Sequence, residues 1–286
     1  MRETDMDIIE LIKDNYNSFT RLQKVVGDYI LEKIDSVVFL SLDKLASEIG
    51  VSTTTVIRFA RSIGFVGYSD MQEEIRRQVL NKKSLPNRLD IKEEALEEDK
   101  LAVKLFENEI YNIQQTLSRM NMKNMNKAID LLSNAKNIYI FGLRGSFPLA
   151  YSMALTLGEI KKNVRLISGV GMGYPEEVVS IEKKDVCLVY AFPRYLRMVI
   201  DMVSWLKARG VKIILITSQA YKKMEKFADV ILPCSVEGYS FKSSMVSPMV
   251  LNNYIIMAVA RRRSGEAKEM LSLTEQWLNM SNFLSE

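Results

Sequence analysis

Five short apolar runs in the second half of the chain restrict the fold more than any other feature of the 286 residues: "NIYIFGL" from Asn137, then "VRLIS", "DVCLVYAF", "VKIILIT" and "DVILPC". Each is too short for a buried helix and rich in Val and Ile. None alternates with polar residues, which is how a strand reads when both faces of its sheet are covered. Helical patterns at about 146–159, 196–208 and 219–227 separate most of the runs. Strands and helices in alternation imply an α/β parallel sheet with helices on both faces. Further helical patterns at about 99–119, 122–134, 243–262 and 266–282 complete this half.

The first half has a different texture. Residues 1–80 read as helices alone. "NSFTRLQKVVGDYILEKI" places Leu22, Val25, Val26, Tyr29, Ile30 and Ile34 on one face, with Thr20 as N-cap. "SLDKLASEIG" follows, Ser41 its N-cap and Gly50 its stop. Residues 81–98 are polar and contain Pro86, the signature of a linker. The expected organisation is a helical domain over 1–80, a linker over 81–98 and an α/β domain over 99–286.

Within the helical domain, "LASEIGVSTTTVIRFARSIGF" fits a helix-turn-helix. Ala46 is small where two helices cross. Gly50, four residues on, suits a turn that needs positive φ, and Val56 supplies a buried branched contact from the second helix. Ser52 can cap that helix. Thr53, Thr54, Ile57, Arg58 and Arg61 are left facing outwards, with Thr55 in the same turn. Threonines lower helix propensity. At the start of a recognition helix, however, they present short hydroxyls to phosphates and base edges, while arginines reach phosphate or guanine. No Asp or Glu occurs between Val51 and Ser69, as a surface facing double-stranded DNA requires. A plain helical hairpin with a solvated polar face would show the Ala-Gly-Val spacing but has no need to exclude carboxylates.

Composition removes several classes of chemistry. There is no histidine, so a Ser-His-Asp or Cys-His site is impossible. The two cysteines, Cys187 and Cys234, sit in apolar runs and read as core residues rather than metal ligands. No metal or cofactor is expected. The N-terminus lacks the apolar core of a signal peptide, and no run of about 18 apolar residues occurs, so no membrane partner is expected. Charge is uneven: 1–89 is neutral, 90–136 is −2, 137–262 is +8 and 263–286 is −2. The basic excess therefore lies in the sheet-forming half, where it favours an acidic small molecule.

The motif "FLSLDKLASEIGVSTTTVIRFARSIGFVGYSDMQ" resembles the N-terminal domain of the RpiR-type transcriptional regulators. The resemblance rests on Leu40 to Leu42, Leu45–Ala46, Gly50 to Ser52, Thr55 to Phe59 and Gly64 to Tyr68, and so runs well past the helix-turn-helix. The second half resembles the sugar isomerase (SIS) domain of such regulators, a three-layer α/β sandwich that binds phosphosugars. The resemblance implies a cytoplasmic bacterial regulator, a homodimer or tetramer, whose DNA affinity a metabolite adjusts.

In parallel sheets, ligands bind beyond the carboxyl ends of strands near helix N-termini. "IYIFGLRGSFPLA" offers Gly142, Arg144, Gly145 and Ser146 there, with the two glycines permitting a tight turn. The SIS form of this loop is Gly-x-Gly-x-Ser, so the spacing here is shifted by one. The next loop departs further. SIS domains carry Ser-x-Ser-Gly-x-Thr, whereas this chain has "YAFPRYLRMV", leaving Arg194, Tyr195 and Arg197 in place of the hydroxyl cluster. The arginines can bind an anion bidentately or bridge subunits, and an anion other than a phosphosugar stays open. Ser240, Lys242, Ser243 and Ser244 precede the next helix and can join an anion pocket or cap that helix. An alternative reading is a phosphosugar isomerase with a helical appendage, its base drawn from Glu159, Glu176, Glu177 or Glu237.

Overall fold

The computed structural model of the chain describes residues 8–38, 40–82, 98–169, 174–218, 222–238 and 242–281. The chain divides into two units, Met1–Ile91 and Lys92–Glu286. Residues 83–97, nearly all of the expected linker, lie outside the described residues.

The first unit holds helices α1 (Ile8–Asn15), α2 (Arg21–Val37), α3 (Leu42–Ile49), α4 (Thr53–Ser62) and α5 (Tyr68–Lys82). Thr20 starts α2 through a capping box: its hydroxyl accepts from the Gln23 N–H, and its own N–H donates to Gln23 Oε1. Val26 and Ile30 are fully buried, but Leu22 and Val25 turn to solvent. Leu22 stands four residues before Val26, at the exposed start of the same stripe, and Val25 falls about 100° to one side of Val26. Leu45, Ala46, Val56 and Phe59 form the crossing of α3 and α4, all buried. Phe59 meets Phe19 edge-on, with centroids 5.2 Å apart. Tyr68 and Gln72, one turn apart on α5, close the end of α2. The Tyr68 hydroxyl donates to the Leu40 carbonyl at 2.6 Å, and Gln72 Nε2 donates to the carbonyls of Val37, Val38 and Leu40. These bonds fix the chain between α2 and α3, where the Val37 carbonyl also accepts from the Leu40 N–H at 3.3 Å. Burial pushes the Tyr68 phenol up to about 12.

In the second unit, α6 (Glu98–Ser118) and α7 (Met122–Asn134) precede the alternating part: β1 (Ile138–Gly142), α8 (Phe147–Gly158), β2 (Val164–Ile167), α9 (Tyr174–Val179), β3 (Val186–Tyr190), α10 (Arg197–Ala208), β4 (Lys212–Thr217), α11 (Lys222–Glu225) and β5 (Val230–Pro233). Helices α12 (Val246–Arg262) and α13 (Ser264–Met280) close the chain. All strand pairs are parallel, in the order β2-β1-β3-β4-β5. Alternate residues feed two cores. Ile138, Ile140, Leu188, Tyr190, Ile214 and Ile216 pack with α7, α8 and α12. Tyr139, Phe141, Cys187, Val189, Ile213 and Leu215 pack with α10 on the other face. The unit is thus a three-layer sandwich. Both cysteines are free thiols inside it, and burial pushes each up to about 12.

A polar clamp ties α6 to the segment after β5. Asn112, fully buried, donates to the Glu237 carbonyl at 2.8 Å and accepts from the Glu237 N–H and the Ser235 hydroxyl. Thr116 accepts from the Ser235 N–H at 2.9 Å. One side-chain amide thereby does for Glu237 what a neighbouring strand would do.

Candidate functional site

Two sites were expected, one in each unit. In the first, Gly50 ends α3 at φ +75° and ψ +33°, a conformation that glycine adopts without the Cβ penalty. Ser52 caps α4: its hydroxyl accepts from the Thr55 N–H at 3.2 Å, and the Thr55 hydroxyl lies 2.9 Å away. These two hydroxyls are therefore engaged in starting the helix. Thr54 and Arg58 are exposed, and Thr53 and Ile57 are half-buried. Arg61 is exposed, and its Nε donates to the Val66 carbonyl at 3.1 Å, fixing the turn after α4. The first carboxylate beyond the helix, Asp70, accepts from the Val66 N–H at 2.8 Å and closes the same turn. The outward face of α4 thus offers a hydroxyl at Thr54 and guanidiniums at Arg58 and Arg61, all free of carboxylates in sequence. Such groups can reach phosphates and guanine edges in a major groove.

In the second unit, the strand order turns back between β1 and β3. Gly142 is paired with Tyr190 at their carboxyl ends, so the loops Leu143–Ser146 and Ala191–Leu196 leave the sheet side by side at the switch point, where ligands of open α/β sheets bind. The glycines do not act as expected. Gly142 has no positive φ; a Cβ there would lie 2.7 Å from the Ser146 carbonyl oxygen and 3.1 Å from Ala150 Cβ, so it admits the close approach of α8. Gly145 faces open space and also lacks a positive φ. The left-handed position falls instead on Arg144, at φ +51°. Arg194 in the adjacent loop is likewise left-handed, at φ +70°. Both arginines are exposed.

The other candidates divide. Ser146 is buried at the start of α8 and makes no side-chain cap to it. The Tyr195 hydroxyl lies 3.2 Å from Thr217 Oγ1 at the end of β4. Arg197 opens α10, is 94% exposed, and pairs at 3.7 Å with Asp201 of its own helix. The buried Ser244 hydroxyl donates to Glu109 of α6 and accepts from the Val246 N–H, acting as a cap at the start of α12. Ser243 is half-buried, and Ser240 lies outside the described residues. Behind the two arginine loops, the Tyr190 hydroxyl donates to Asn252 Oδ1 at 2.6 Å, and Asn252 Nδ2 donates to the Leu149 carbonyl at 3.2 Å. This link between β3, α12 and α8 escaped sequence reasoning; a tyrosine ending an apolar strand was its only signal.

Two of the carboxylates considered for catalysis stand at opposite ends of the sheet. Glu159 follows the far end of α8, about 18 Å along the helix from Phe147. Glu177 accepts from the Ser168 N–H after β2. Among the described residues, no group of three carboxylates or thiols could hold a metal ion, and no helix is long and apolar enough to cross a membrane.

Comparison with known proteins gives two family matches: the helix-turn-helix domain of the rpiR family over residues 6–82 and the SIS domain over residues 131–258. The chain is 24% identical over 281 residues to an uncharacterised HTH-type transcriptional regulator of Caldanaerobacter subterraneus subsp. tengcongensis, spanning 96% of this chain and 98% of that one. Among solved structures it is similar to the sugar isomerase domain of an RpiR transcription factor from Sphaerobacter thermophilus, with TM-score 0.59 and 20% identity over 62% of this chain and 99% of that one. It is also similar to the NanR protein of Vibrio vulnificus complexed with ManNAc-6P, with TM-score 0.58 and 16% identity over 98% of this chain and all of that one. What it shares with both structures is the fold.

Proposed function

The chain belongs to the RpiR-type transcriptional regulators, an rpiR-family helix-turn-helix domain followed by a SIS domain, and from that premise we propose that an anionic metabolite, a phosphosugar or a related compound, held at the ends of β1 and β3 adjusts the grip of a homo-oligomer on a double-stranded DNA operator. One observation carries the effector site: Arg144 and Arg194 both take left-handed backbone on neighbouring loops at the switch point. An L-residue there costs roughly 1–2 kcal/mol, and strain of this kind collects where a ligand is held. Two guanidiniums supply charge-assisted hydrogen bonds, about twice as strong as those from neutral hydroxyls. NanR was solved with ManNAc-6P, which makes a phosphosugar the first probe.

Operator contact is assigned to Thr54, Arg58 and Arg61, with Ser52 and Thr55 starting the helix and Thr53 and Ile57 at its edge. Exposed apolar side chains on α6 (Phe106, Ile110, Leu117), α8 (Tyr151, Leu155) and α12 (Val250, Met257) support self-association. The test begins with recovery of DNA fragments bound by the purified chain. Mobility shifts at fixed salt then compare Thr54→Ala and Arg58→Ala with wild type, each expected to lose about 1–3 kcal/mol of operator affinity. Unchanged affinity in both variants would sink the recognition-helix assignment. ManNAc-6P and inorganic phosphate serve as effector probes in the same titration.

A further inference from the structure

Helix α13 is the least covered element of the second unit. Of its seventeen residues only Ala267 is buried, and Leu273, Trp277 and Met280 are 51%, 62% and 70% exposed. Contacts within the chain hold its first turns: Glu266 lies 3.1 Å from Arg263 and 4.0 Å from Lys161, and Glu269 lies 3.6 Å from Lys162. From Leu271 to Ser281 every residue except Leu278 is exposed. An isolated helix of this length is marginal in water, and a row of large apolar side chains facing solvent makes the bare arrangement less favourable still.

The row has a pattern. Met270, Leu273, Trp277 and Met280 follow one another at intervals of three, four and three, which sets them along one side of the helix as a helix–helix seam requires. Lys268, Glu275 and Asn279 fall on the opposite side. The pattern is also its own mirror about position 275. A two-fold axis there brings Met270 of one helix against Met280 of another, and Leu273 against Trp277, with the two helices antiparallel. A self-complementary patch of this kind is what an isologous contact between identical chains demands. The row alone exposes on the order of 400 Å² of apolar surface, about half of the roughly 800 Å² that each partner buries in a stable dimer, so the pair of helices forms one part of the interface.

We propose that α13 is the seam between two copies of this chain, paired antiparallel with α13 of the second copy. The inference rests on the homo-oligomer reading above and names its surface. Sedimentation of the full chain across the micromolar range tests it. Trp277→Glu is expected to remove one step of association, raising its dissociation constant at least about 30-fold, as loss of a buried anchor does. Trp277→Phe is expected to stay near wild type in association and in circular dichroism, and Trp277→Glu to lose at most the helical signal of α13. An associated wild type with an equally associated Trp277→Glu variant overturns the α13 seam and leaves the homo-oligomer standing. A wild type that is monomeric throughout overturns both. The chain has two tryptophans, so Trp205→Phe leaves Trp277 as the sole indole. Its emission is expected to shift to the red on dilution, and water-like emission in the associated protein would also refute the seam.

Discussion

Replacing Arg194 by glycine and, separately, by alanine separates backbone from side chain at the β3 loop. Arg194 stands at φ +70°, where an L-residue costs roughly 1–2 kcal/mol. Glycine removes that cost but enlarges the unfolded ensemble by roughly 0.4–1 kcal/mol. The balance favours Arg194→Gly by about 0.5–1 kcal/mol, which in a unit of this size raises the melting temperature by about 1–4 °C. Arg194→Ala discards the same guanidinium but keeps the strained backbone, so it is expected to melt with wild type. The side chain is exposed and makes no ion pair among the described residues, so neither change removes packing. Both variants are expected to bind the operator normally without effector and to lose the response to ManNAc-6P. Thermal unfolding and operator titrations, with and without the probe, measure both quantities. A glycine variant no more stable than the alanine variant refutes the strain argument. Reduced operator affinity in the absence of effector would move Arg194 to a subunit contact.

Two glycines separate conformational from steric cost in the same way. Gly50→Ala meets nothing within 4 Å but must hold φ +75°, and is expected to destabilise the first unit by about 1 kcal/mol. Gly142→Ala has ordinary φ but puts a methyl 2.7 Å from a backbone oxygen; it is expected to cost about 1–3 kcal/mol and, unlike Gly50→Ala, to weaken effector binding by displacing the start of α8. Urea unfolding and probe titration would expose the error if effector binding survived. Asn112→Ala removes the acceptor used by the Glu237 N–H and the Ser235 hydroxyl, and a loss of about 1–3 kcal/mol is expected in urea; a loss below about 0.5 kcal/mol would show that the clamp carries little of the unit's stability.

The sheet was legible because strands buried on both faces have no polar positions to blur them. All five runs became strands, and the helix ends followed Thr20, Ser41, Gly50 and Ser52. What escaped depends on contacts distant in sequence. Six-residue α9 is too short to show a period. Leu22 and Val25 looked inward because period alone cannot say where along a stripe the neighbours stop. Gly142 stood out in the sequence as a turn glycine, but the constraint on it is the close approach of the Ser146 carbonyl, which exists only once α8 is folded. No residue type announces a left-handed arginine, so Arg144 and Arg194 were visible as charges and not as strained positions. Ser244 was ambiguous between ligand and cap until Glu109, 135 positions earlier, came to face it.

The buried thiols have a consequence for what the second unit can sense. With Cys187 and Cys234 pushed up to about 12 and no histidine anywhere in the chain, no imidazole or thiolate titrates between about pH 6 and 9. Oxidants likewise find no exposed thiolate to attack. On the proposed reading, proton linkage then falls on the effector itself: a phosphate monoester takes its second charge near pH 6, and the guanidiniums of Arg144 and Arg194 hold the dianion more firmly than the monoanion. On that reading neither imidazole nor thiolate titration tunes the receptor side near neutral pH, and the response to pH follows the charge of the metabolite.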